Sequence, residues 1–226
     1  MTTNELSITM REYLAEIYRL SDREGATQQG YISTSALAEL LDVSAPAVNR
    51  MVTKLKDQHL LIHEPYQGIA LTEAGQKEAL TMLRRHRITE AFLVNVMGFA
   101  WHEIHEEASR ISGTLSEALT QRMADMAGNP TICPHGEPIP AEDGTMPDLQ
   151  DILLAEAPQN TPLYVTRVRT READRLQYLA ALGLVPGAEV TVIHAAPFNG
   201  PLQLKLKDEY RIVGHNLAEL IRVRGE

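Results

Sequence analysis

The chain holds one cysteine in 226 residues. No disulfide can therefore close within it, which fits a reducing compartment. It has no apolar run near the ~20 residues that a membrane-spanning helix needs. The opening "MTTNELSITM" lacks a basic segment followed by an apolar core, so it does not read as a secretory leader. Together these absences lead to the expectation of a cytoplasmic protein without a membrane partner. Basic charge is also scarce. A net charge of -9 argues against non-specific nucleic-acid binding by the chain as a whole, yet leaves room for a local basic face. Internal repeats and low-complexity tracts are absent.

What is present is globular in character, and the length suits one large domain or two to three small ones. "MREYLAEIYRL" places Leu14, Ile17 and Tyr18 at helical spacing, and "GATQQG" breaks the pattern. "STSALAELLDV" is a second helix, with Ser33 or Thr34 as its cap. "SAPAVNRMVTKLKDQHLL" is a third, capped by Ser44, with Pro46 in its first turn and Val48, Met51, Val52 and Leu55 as its buried stripe. "LLIHEPYQGIAL" then reads as a hairpin. A long helix capped by Thr72 runs to near Gly98, and one or two more follow before the linker "AEDGTMPDLQ". From about Leu149, five short β-prone segments and the helical "READRLQYLAALGL" predict a small barrel. The expected fold is multi-domain, mainly α with a small β part. Its expected divisions are residues 1–72, 73–148 and 149–226.

Helix, turn, helix and hairpin within the first 72 residues form the pattern of a winged helix-turn-helix. The third helix shows Ala47, Arg50, Thr53 and Lys54 on the face away from its apolar stripe. Small and basic residues there suit a major groove, with Ser44 and the helix N-terminus near phosphate. Thr9 of the first helix is counted with them as a DNA contact. Solvated surface residues would show the same composition. The order of cap, turn, stripe and wing favours DNA.

A second constellation mixes imidazole, carboxylate and thiol. His86 and Glu90 are four apart in "RRHRITE" and share a helix face. "WHEIHEEAS" adds His102, Glu103, His105 and Glu106. "GNPTICPHGEPIP" carries Cys133 and His135 on a proline-stiffened loop that cannot be a helix and makes a poor buried strand. Mixed S, N and O donors exceed a closed four-coordinate zinc site and suit Mn2+ or Fe2+. A regulator that uses Cys133 as a redox switch is the alternative reading. A metal-dependent hydrolase is disfavoured, because saturated ligation leaves no open position.

The segments "EYLAEIYRL", "LAELLDVSAPAVNRMVTKLKDQHLL", "LTEAGQKEA", "RRHRITEAFL", "HEEASRI" and "CPHGEPIP" resemble, in order and spacing, the diphtheria-toxin-repressor family of metal-dependent transcriptional regulators. The resemblance runs essentially end to end. It implies a winged-helix domain, a helical dimerisation and metal domain, and a C-terminal SH3-like domain. It also implies homodimers that bind a palindromic operator when loaded with Mn2+ or Fe2+, and so a repressor of metal-uptake genes rather than an enzyme. Carried over by position, one metal site comprises His86, Glu90 and His105, with Glu172 and Asp174 from "READR" and Cys133 and His135 from the "CPH" loop. At a second family site this chain departs. Glu12 supplies a carboxylate, but Ser109, Ser112 and Gly113 stand where the family has three side-chain donors, leaving Glu12 and Glu106 as candidates. The apolar residues Leu93, Val96, Phe99, Trp101 and Ile104 are expected to hold two copies together.

Overall fold

In the computed structural model, which describes residues 6–23 and 30–225, the first apolar repeat folds into helix α1 (Ile8–Arg23). Leu14 and Ile17 are fully buried in it. Apart from Gly30, the "GATQQG" break lies outside the described residues. Helix α2 (Thr34–Leu41) is capped by Ser33, whose hydroxyl accepts from the Ala36 N–H at 3.0 Å. Helix α3 (Ala45–Asp57) begins at Ser44 with proline in its first turn, but the Ser44 side chain makes no capping bond. The wing is an antiparallel pair, β1 (Leu61–Glu64) with β2 (Gly68–Leu71). Gly68 is required at its turn: its φ is +111°, and a Cβ there would lie 2.1 Å from the Ile32 carbonyl oxygen. Helix α4 (Glu73–Asn95) starts at Thr72, whose hydroxyl accepts from the Gly75 N–H and donates to the His59 carbonyl.

Contacts group residues 1–86, 111–116 and 140–146 into one unit, and 87–110, 117–139 and 147–226 into another. The first unit is built on Leu14, Ile17, Leu37, Val48, Leu55 and Ile69. Fully burying a side chain of this size contributes about 1.5–3 kcal/mol.

The second unit contains the C-terminal part of α4, most of α5 (Ile104–Ser112), α6 (Glu117–Met126) and the β module. That module comprises β3 (Ile152–Leu153), a 3-10 turn (Leu154–Glu156), β4 (Pro162–Val168), α7 (Ala173–Ala181), β5 (Glu189–Ala195), β6 (Leu202–Leu206), β7 (Glu209–Val213), α8 (His215–Ala218) and β8 (Ile221–Arg224). Its strands pair antiparallel in the order β3-β8-β4-β5-β6-β7. Val165, Val192, Leu204 and Val223 point inward against Leu176 and Leu179 of α7. The structure adds β3 and α8 to the elements read from sequence. Two and four residues are too short to show a period.

The residues expected between two copies divide. Leu93 and Ile104 bury themselves with Ala108 in a core of their own unit, and Trp101 packs on the β module's core. Leu93 and Ile104 are thereby buried within their own unit, while Trp101 and Phe99 stay partly exposed. Val96 stays exposed, and so do Met97, Leu119 and Met126.

Candidate metal centre and DNA-reading face

The "CPH" stretch folds as a very short hairpin. Ile132 bridges Pro138, the Cys133 N–H donates to the Glu137 carbonyl, and the Gly136 N–H donates to the Cys133 carbonyl. Pro134 takes the position in this turn where its fixed φ is favourable, and Gly136 supplies the positive φ of +86°. The hairpin turns Cys133 and His135 inward, at 3% and 6% exposure. The His135 O accepts from the Val168 N–H of β4, so the turn is bonded to the β module.

Glu90, buried in α4, meets both loop residues. The donor atoms of Glu90, Cys133 and His135 all lie within 4.8 Å of one another. The orientation of His135 follows from its bonds. Its Nε2 lies 2.8 Å from the Trp101 carbonyl, which can only accept, so Nε2 carries the proton. Nδ1 then faces Glu90 Oε1 at 3.6 Å. Fixing one imidazole nitrogen to present the other is the usual outer support of a metal-binding histidine. His105 Nδ1 approaches the same Oε1 at 3.3 Å. His86 stands one turn before Glu90 on α4, also buried, with its donor atom within 4.8 Å of the carboxylate.

The electrostatics favour a cation. Burial, then the Glu90 charge, pushes the Cys133 thiol well above its ordinary pKa against the lowering pull of Arg87. Burial acts to lower the pKa of His135, but the hydrogen bond and charge of Glu90, the Trp101 carbonyl and Glu137 raise it on balance. A carboxylate, a thiol and an imidazole are thus packed where protons are held tightly, and a divalent cation can displace those protons. The donor set fits such an ion. It does not fit a redox switch, which needs an exposed thiol with a lowered pKa.

Other expected ligands stand apart. Among the described residues, the donor groups that converge include neither Glu172 nor Asp174. Both are exposed, and Glu172 pairs with Arg175 at 2.9 Å. Glu106 is exposed and pairs with Arg110. Glu12 is half-buried, its carboxyl raised by burial and by Glu16. Ser112 Oγ lies 3.5 Å from His86 Nδ1, and a Cβ on Gly113 would fall 2.5 Å from Ile8 Cγ2. Ile8 therefore fills the place of a side chain at 113. Ser109 is exposed.

On α3, Val48, Val52 and Leu55 are buried, while Arg50, Thr53 and Lys54 are exposed and Ala47 is half-exposed. Thr53 donates its hydroxyl to the Asn49 carbonyl, so its methyl is the group left to face outward. Ser44 and Thr9 are exposed.

Residues 5–69 match the model of the iron dependent repressor N-terminal DNA binding domain. Residues 72–141 match that of the iron dependent repressor metal binding and dimerisation domain, and 152–225 that of the FeoA domain. The chain is 33% identical to the iron-dependent repressor IdeR of Mycobacterium tuberculosis, over 97% of this chain and 98% of that protein. The chain belongs to the iron-dependent repressor family. As a member it is a metal-dependent, DNA-binding transcriptional repressor. Its fold is similar to that of a manganese-dependent transcriptional repressor in complex with manganese, with a TM-score of 0.87 and 30% identity over 96% of this chain and 100% of that one. It is also similar to ScaR with bound Zn2+, with a TM-score of 0.81 and 30% identity over 96% and 99%. Among the described residues, no helix of this iron-dependent repressor is long and apolar enough to cross a membrane.

For this family member, sequence reasoning missed the residues around the ligands. The Trp101 carbonyl is backbone and leaves no mark in a side-chain pattern. Arg87 was overlooked beside His86. Glu137, Arg167 and Arg169 carry a faint signal, since the two arginines are spaced by two in "TRVRT" and so can share a strand face.

Proposed function

We propose that the chain is a cytoplasmic homodimer that represses metal-uptake genes when Mn2+ or Fe2+ occupies Glu90, Cys133 and His135, with His105 and His86 completing the set. The observation that carries this reading is the buried meeting of thiol, imidazole and carboxylate groups, with His135 already turned to offer Nδ1. A bound ion supplies the positive charge that stabilises the deprotonated thiol and the neutral imidazole together. The donors are mixed, neither all hard nor all soft, which suits a first-row divalent ion. Divisions near 1–72, 73–148 and 149–226 would separate reading head, metal and dimer helices, and SH3-like module. The chain acts by binding, without turnover. The deciding measurement is metal content and operator affinity on the same anaerobically purified sample. Operator binding that is unaffected by removing the metal would refute the proposal.

The DNA contacts we propose are Arg50, Lys54, Thr53 and Ala47 in the major groove, with Ser44 and Thr9 near phosphate. The operator is a palindrome whose half-sites lie about one turn, ~34 Å, apart. Arg50→Ala should weaken operator binding by roughly 5- to 150-fold, as loss of a base contact of about 1–3 kcal/mol implies. Metal uptake should not change. A gel-shift titration at physiological salt checks this, and an unchanged affinity would remove α3 as the reader.

The dimer should form through exposed apolar residues that include Val96, Met97, Leu119 and Met126. Leu119→Glu should shift sedimentation towards the monomer at micromolar concentration, because it places a charge among apolar groups. A variant that sediments as wild type would move the interface elsewhere.

A further inference from the structure

The two loop ligands stand on a four-residue turn, and the turn alone does not fix its distance from α4. Charge does. One oxygen of the Glu137 carboxylate lies 3.4 Å from Arg87 of α4 and 3.4 Å from Arg167 of β4. The other lies 3.5 Å from Arg169, just beyond β4. Arg87 reaches past the carboxylate to donate to the Pro138 carbonyl on the same loop. Arg167 is anchored from behind by Asp151, whose side chain is fully buried. The backbone repeats the attachment, since Gly136 lies so close to β4 that a Cβ would fall 2.0 Å from the Thr166 carbonyl oxygen. A single carboxylate thus joins the helix that carries Glu90, the loop that carries Cys133 and His135, and a strand of the β module.

We infer that Glu137 is the positioning residue of the metal centre: through Arg87, Arg167 and Arg169 it sets the spacing of Cys133 and His135 from Glu90, so that docking of the loop on β4 contributes to metal affinity. The inference rests on the ligand reading given above. Preorganised donors bind more tightly because less ordering remains to be done on binding. Supports of this kind typically change metal affinity by about 10–100-fold when removed. Coupling is reciprocal, so the metal in turn strengthens the hold of the loop on the β module.

The test is a Mn2+ titration of the full-length protein followed by fluorescence of its only tryptophan, Trp101, whose ring centroid lies 5.5 Å from that of His135. Thermal unfolding of the metal-free protein is measured alongside. Glu137→Gln should raise the Kd for Mn2+ at least tenfold in protein that is still folded. Gly136→Ala leaves every charge in place but lifts the turn from β4, and it should act in the same direction. If the Gln variant does not fold, Glu137→Asp keeps the charge, draws the carboxylate back by one methylene and should show the same weakening. A lowered unfolding temperature with an unchanged Kd in the folded variants would make Glu137 merely structural and overturn the inference. Cys133→Ala is the reference: if it too leaves Mn2+ binding unchanged, the ligand reading fails. If Cys133→Ala weakens binding while the Glu137 and Gly136 variants do not, only the positioning role fails.

Discussion

Glu90→Gln, Cys133→Ala and His135→Ala should each weaken Mn2+ binding by more than ~100-fold, beyond the 10–100-fold range typical of outer supports. Glu90→Gln should be the most severe, because the Glu90 oxygen is the one atom that both His105 and His135 approach. If Cys133 only packs and His135 only hydrogen-bonds, alanine would lower thermal stability and leave the metal dependence of operator binding where it was. Operator binding titrated against Mn2+ separates the cases, since coincident curves for wild type and variants would remove the residue from the site. The pH dependence has a definite sign. Cys133 and His135 both have raised pKa values without metal, so metal must displace protons from them. Affinity should climb as pH rises and fall as it drops through neutrality. A calorimetric titration in buffers of different ionisation enthalpy should register the released protons.

The second large effect is on stability. Asp151 accepts from Thr166 at 2.8 Å, takes Arg167 through both of its oxygens, and pairs with Arg222 at 2.5 Å. It joins the chain before β3 to strands β4 and β8. Asp151→Ala leaves Arg167 and Arg222 without their shared carboxylate, and breaking a buried pair in this way costs about 3–5 kcal/mol. Urea unfolding should show that loss at neutral pH, and a change below ~1 kcal/mol, the level of a surface ion pair, would demote the network to decoration. Burial acts to raise the Asp151 pKa, but Arg167, Thr166 and Arg222 together hold it below the ordinary carboxylate value. Its contribution is therefore complete above the unfolded-state value of about 4 and is lost as pH falls through the lower, folded-state value. The wild type should lose its advantage over Asp151→Asn only in strong acid.

The reading head was legible because each of its signals is local. Ser33, Pro46, the Val48–Val52–Leu55 stripe and Gly68 act within a few residues of themselves, so cap, period and turn can be read directly. Cys133 and His135 were legible as an oddity, a thiol and an imidazole among prolines. Their meeting with Glu90 was legible only through the family resemblance, since it spans more than forty positions and depends on where a loop docks, which no local pattern shows. Burial was misjudged for the same reason. Leu93 and Ile104 look like interface residues until they pack with Ala108, Val94 and Phe99. Ser44 does stand at the N-cap of α3, as read, but its side chain makes no capping bond, because position in a motif does not guarantee the rotamer that makes the bond.

The low exposure of Glu90, Cys133 and His135, between 3% and 6%, bears on how quickly the switch can reset. An ion bound among side chains this buried should leave slowly, and lifting of the Cys133–Gly136 turn from β4 is one opening that would release it. Such local opening has its own rate, set by the bonds that hold the turn down. A strong chelator added to the loaded protein would then strip metal at a speed that levels off as more chelator is supplied. Repression would outlast a fall in cellular metal by the lifetime of that closed turn. The hydrogen bond from the Val168 N–H of β4 to the His135 carbonyl would then set a release time, separate from any effect it has on how much metal is bound at equilibrium.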